Sequence, residues 1–113
     1  MKIILGNPGS GKTKELLALS AEKNVPILCE SAARVERLLV KAQGYGYNIP
    51  TPVTLDNVGT ASEVIVDDIE RFFSQALNVK LNALSVNRDK SVDICDLDKK
   101  KNLKKPPRVV FFL

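Results

Sequence analysis

Eight consecutive residues, Gly6-Asn7-Pro8-Gly9-Ser10-Gly11-Lys12-Thr13, combine glycines, a lysine and a hydroxyl in the spacing G-x-x-x-x-G-K-[ST]. The chemistry of that spacing is anion binding. Glycines let successive backbone N–H groups turn inward and form a concave nest. A helix that starts at the end of the nest aims its positive end at the same anion. Lys12 would add a point charge at the β- and γ-phosphates, and the Thr13 hydroxyl would ligate Mg²⁺. The plain alternative is an ordinary glycine-rich turn between a strand and a helix. The flanks decide against it. Lys2-Ile3-Ile4-Leu5 is a short β-forming run, and Lys14-Glu15-Leu16-Leu17-Ala18-Leu19 starts a helical stretch.

A second group of residues could complete this chemistry. Glu63-Val64-Ile65-Val66-Asp67-Asp68 is a β-branched run ending in acids. It predicts a buried parallel strand with carboxylates at its C-terminal edge, where ligands bind in open α/β sheets. A strand followed by helix-capping aspartates is the alternative. The loop resembles the Walker A motif of P-loop NTPases, and the run over 64–68 resembles their Walker B motif. The resemblance covers residues 2–87. It implies that Asn7, Pro8, Gly9, Ser10, Gly11, Lys12, Thr13 and Lys14 bind nucleotide. It implies that Thr13 and Asp67 hold Mg²⁺. Asp68 would orient the attacking water, at a place where RecA/AAA+/helicase-type ATPases carry a glutamate. Asn87 would be the polar residue facing the γ-phosphate, with Ser85 as second choice. A turn asparagine before Arg88-Asp89 is the alternative for Asn87.

These residues need a frame. The spacing predicts a helix from Lys12 to Lys23, ended by Asn24 and Pro26, and a strand over Val25–Cys29. Ser31 suits an N-cap for a helix carrying Ala32, Val35, Leu38, Leu39 and Ala42, broken by Gly44-Tyr45-Gly46-Tyr47-Asn48. Residues 44–62 read as a surface loop, with Val53-Thr54-Leu55 as a short extension. Ile69, Phe72, Phe73, Ala76 and Leu77 mark a third helix, ending near Asn78. Residues 81–86 predict a strand, which the resemblance would insert between those of the two motifs. Ser91–Cys95 alternates like a strand, Asp96–Arg108 forms a basic loop, and Val109–Leu113 a terminal strand. That last run would pair with 91–95 as a hairpin or lie beside the first strand. The expected fold is α/β: a three-layer, mostly parallel sheet of about five strands with helices on both faces.

The 113 residues suit a single domain, 1–113, and no apolar run reaches bilayer length. One lysine followed at once by a strand is not a signal peptide, so a cytoplasmic protein is expected. The chain has two cysteines and no histidine, which argues against zinc and for reduced thiols at Cys29 and Cys95. The net charge of +4 is concentrated late. Lys99, Lys100, Lys101, Lys104 and Lys105 fit contact with nucleic-acid phosphates, a solvated loop being the default. Tyr45 and Tyr47 could stack on single-stranded bases, with packing or exposure as the alternative. Arg34, Arg37, Arg71, Arg88 and Arg108 are candidates, without a signature, for an arginine finger in cis. A partner subunit is the other source.

Together these features imply a Mg·ATP-binding ATPase of the RecA/AAA+/helicase type, acting with nucleic acid or a partner protein. A small P-loop kinase and a nucleotide-dependent binding module with little hydrolysis are the rivals.

Overall fold

The computed structural model describes residues 1–98. The chain divides into two compact units: Met1–Lys12 with the chain from Val86 onward, and Thr13–Ser85.

The first unit is built on β1 (Lys2–Leu5), which Gly6 ends, and on the late strand Asp93–Asp96. The two strands pair in parallel from Lys2↔Asp93 to Leu5↔Asp96. The Asp93 amide donates to the Met1 carbonyl at 2.9 Å, and the Met1 ammonium donates to the Ser91 carbonyl at 2.7 Å. Cys95 and Leu97 are buried, whereas Leu5 and Ile94 are exposed.

The second unit contains α1 (Lys12–Lys23, from Thr13 on), β2 (Ile27–Leu28), α2 (Ala32–Tyr45), β3 (Ile65–Val66) and α3 (Ile69–Ala76). In chain order Asp93–Asp96 is therefore β4. Asn24, at φ 56, takes the left-handed conformation that stops α1. Ser31 caps α2, its hydroxyl accepting from the Arg34 amide at 3.2 Å. Within the expected breaking stretch it is Gly46 that ends the helix, at φ 80, with its amide on the carbonyls of Ala42 and Gln43. β2 pairs in parallel with β3, and on its other side Leu28 bridges Val53. Leu17 of α1, Ile27 and Cys29 of and after β2, and Leu38 and Ala42 of α2 form the buried core. Val35, Tyr47, Ile49 and Ile65 pack against it.

The expected three-layer sheet of about five strands is not what the chain forms. Among the described residues there are three helices and two separate two-stranded parallel sheets, β1–β4 and β2–β3. The reasons are local. Pro26 has no amide to donate at the head of β2, and the Ser31 cap soon follows its end, so Val25–Cys29 shrinks to Ile27–Leu28. Asp68 turns at φ 61 to start α3 and closes β3 after Val66. Val64 remains exposed, so the run is not a strand buried on both faces. Residues 81–86 form no strand. Leu84 and Val86 stay exposed there, so burial does not offset the cost of ordering that backbone. The strand beside β1 is instead Asp93–Asp96, parallel to it. The Lys99–Lys105 cluster and the 109–113 strand lie outside the described residues, and so does any pairing of 109–113.

No helix among the described residues is long and apolar enough to cross a membrane.

Candidate functional site

The loop that follows β1 belongs, up to Lys12, to the first unit. Gly9 and Gly11 sit at φ 81 and φ 96, a left-handed backbone that side chains strain. The Ser10 amide donates to the Asn7 carbonyl at 3.0 Å, closing the turn. Lys12 folds back over the loop. Its Nζ donates to the carbonyls of Gly6 and Asn7, each at 2.8 Å. The Asn7 amide donates to Asp98 Oδ2 at 2.7 Å. That distance is short for an N–H donor, as charge-assisted bonds are. The Ser10 hydroxyl is buried with no hydrogen-bond partner among the described residues. Asn87 is exposed and outside any strand, as a turn asparagine would be.

The second unit holds the residues named for the metal. The Thr13 hydroxyl, on the first turn of α1, donates to Asp67 Oδ2 at 3.0 Å across 54 positions of sequence. Asp67 directly follows β3, and it is 8% exposed. The same oxygen takes a hydrogen bond from Arg34 Nη2 at 2.8 Å. Arg71 Nη2 lies 3.7 Å from it, and Arg71 Nε lies 3.4 Å from Glu30 Oε2. Arg71 makes these ion pairs without hydrogen-bond geometry. A nearly buried carboxylate thus draws two guanidiniums, and Glu30, just past β2, neutralises part of their charge.

Asp68 does what the capping alternative expected. Its Oδ1 accepts from the Arg71 amide at 3.2 Å, and it is the N-cap of α3. The carboxylate is exposed beside an open hollow that Arg71, Ser74, Asn78 and Lys80 also line. Lys14 does not turn toward an anion within its unit. Its Nζ stands 5.1 Å from the centroid of the Tyr45 ring, a cation–π contact. Tyr45 stays exposed, while Tyr47 packs on the core, so packing accounts for one tyrosine and exposure for the other. Burial, seconded by the charge of Glu30, raises the Cys29 thiol from 9.0 to about 11.

Thr13 Oγ1 and Asp67 Oδ2 are hard oxygen donors of the kind Mg²⁺ takes. That ion keeps several waters and needs only one or two protein oxygens when phosphates supply the rest. The donor chemistry therefore fits Mg²⁺. Among the described residues no group of three or more His, Cys, Asp or Glu side chains could form a closed metal cage.

Glu30 and Asp98 were not legible as site residues. Asp98 sits in a lysine-rich stretch that reads as solvated. Only the β1–β4 register brings it beside Asn7. Arg34 did carry a signal. It stands four and eight residues before Leu38 and Ala42, on the stripe that α2 buries. An arginine on an apolar stripe needs a buried acid, and Asp67 is that acid. Arg37 and Arg88 are exposed. Arg108 lies outside the described residues.

No protein-family model matches the chain, and neither a curated protein nor a solved structure does.

Proposed function

We propose that this chain binds a nucleoside triphosphate, ATP, together with Mg²⁺, and is an ATPase of the RecA/AAA+/helicase type that acts with nucleic acid or a partner protein. One observation carries the reading: the Thr13 hydroxyl, directly after the loop lysine, bonds the Asp67 carboxylate at 3.0 Å. Two residues that the resemblance assigns to one metal, from motifs 54 positions apart, are in hydrogen-bond contact.

In this reading Lys12 leaves the carbonyls of Gly6 and Asn7 for the phosphates, and the loop amides share the negative charge. Thr13 and Asp67 would hold Mg²⁺, which would supply positive charge to offset the charge of the phosphates. Asp68 is the carboxylate assigned to the attacking water, and as a helix cap it is held in place by the Arg71 amide. Aspartate is one methylene shorter than glutamate, so its reach sets a slow rate. A binding module with little hydrolysis gains support from the two arginines on Asp67.

Titration calorimetry with Mg·ATP tests the proposal. Wild type binds, Lys12→Ala loses most of the affinity, and Asp67→Asn loses turnover more than binding. Equal ATP affinity in wild type and Lys12→Ala sinks the reading.

A further inference from the structure

In each group of polar residues described above, one atom expected to meet a ligand already has a partner of that ligand's charge from within the chain: the Asn7 amide has Asp98, and Asp67 has Arg34. We propose that Asp98 stands in for a phosphate oxygen on the loop and that Arg34 stands in for the metal ion on Asp67. Nucleotide and metal then bind by exchange against the protein's own ions. This rests on the nucleotide-binding reading and adds the regulation of that site.

The anion comes from the pairing of β4 with β1. The register ends at Leu5↔Asp96, and two residues further on each chain stand Asn7 and Asp98. The Asp98 amide donates to Asp96 Oδ1 at 3.1 Å, at the start of the helical turn that Leu97 and Asp98 enter after β4. The Asp98 carboxylate then meets the Asn7 amide at 2.7 Å. A carboxylate and a phosphate oxygen make the same demand on a backbone N–H. Asn7 precedes Pro8, which has no amide to offer. The Asn7 donor is therefore an early amide of the loop, and an entering phosphate competes with Asp98 for it.

The cation comes from α2. Arg34 and Asp67 are 9% and 8% exposed, so neither charge is left to water. Their contact at 2.8 Å uses the oxygen that also accepts from Thr13. A divalent cation held by Thr13 and Asp67 seeks that same oxygen. A guanidinium and a divalent cation drawn to the same oxygen repel one another, so the metal competes with Arg34, and Arg34 lowers the apparent metal affinity. Arg71, at 3.7 Å and tied to Glu30, is the weaker competitor.

The two substitutions are separable because each has its own probe. ATP affinity is measured in chelator, without metal, for wild type, Asp98→Asn and Asp98→Ala. Mn²⁺ affinity is measured by electron paramagnetic resonance, without nucleotide, for wild type, Arg34→Gln and Arg34→Lys. Asp98→Asn is expected to tighten ATP roughly three- to tenfold, the size of one charge-assisted contact. Arg34→Gln is expected to tighten Mn²⁺ by a similar factor, and Arg34→Lys by less. Each change leaves the other probe's affinity where it was. Should Arg34→Gln fail to fold for want of a partner to Asp67, Arg34→Lys decides the metal arm. If wild type binds Mg·ATP through Lys12 but none of these variants tightens its ligand, the exchange idea is overturned and the nucleotide reading stands. If no variant and no wild type binds ATP or Mn²⁺, both fall.

Discussion

At the scale of single residues, burial controls reactivity. Cys29 is 2% exposed and follows β2. Its thiol is raised to about 11, first by burial and then by Glu30. The sign follows directly. The folded state holds the proton to higher pH than the unfolded chain, so thiolate is scarce below pH 9 in the fold. Stability drawn from the neutral thiol is complete below the unfolded value and is lost as pH rises toward the folded one. Alkylation of Cys29 by iodoacetamide at pH 8 is therefore expected to be slow in buffer and fast in denaturant. Equal rates in the two would contradict the burial. The loop was legible as a candidate site from residue types alone, because glycine, lysine and threonine at fixed spacing have few other uses. The counter-ions were not. Asp98, Arg34 and Glu30 act through contacts that only folding creates, and sequence gives no distance between residues 34 and 67.

At the scale of elements, the helices were easier to read than the strands. Helix α1 occupies the expected Lys12–Lys23, because leucines at helical spacing and a left-handed Asn24 are local signals. The Ser31 cap was local as well. Removing it with Ser31→Ala is expected to cost about 1 kcal/mol of stability, the usual value of an N-cap. A denaturant titration checks this. An unchanged midpoint would mean that the bond to the Arg34 amide contributes nothing, or that the Arg34–Asp67 pair alone holds the first turn of α2. The strand expectations failed where they depended on partners. Residues 81–86 have strand-forming composition but no strand partner among the described residues, and Leu84 and Val86 face solvent. Ser91–Cys95 has an equally weak pattern, yet its shifted form Asp93–Asp96 finds β1 and becomes a strand. Pairing is a property of the fold, and composition alone does not choose which of two weak runs obtains it.

At the scale of the whole molecule, charge and completeness of the site set the expected behaviour. The formal net charge is +4, and five of the lysines fall at 99–105. If the chain meets nucleic acid through them, log affinity falls roughly linearly with log salt as counterions are released. Replacing the five with glutamine should flatten that line, and an unchanged slope would assign them to a solvated loop. Turnover is the broader test. Arg34 and Arg71 are the arginines paired to acids among the described residues, and both are engaged with Asp67. While so engaged they are not available to a γ-phosphate. Asp68 is short for orienting water and serves as a cap. A supplied arginine finger is typically worth roughly 10³–10⁵ in rate, which outweighs the other shortfalls of such a site. The isolated chain is therefore expected to hydrolyse ATP slowly, with specific activity rising with protein concentration or on adding a partner or single-stranded DNA. Phosphate release measured across a concentration series, with and without DNA, reads this directly. Turnover at an ordinary enzyme rate, independent of concentration and of any addition, would show that one chain already supplies every charge the reaction needs. Arg34 would then be the first residue to replace, because release from Asp67 could turn it into the missing cation.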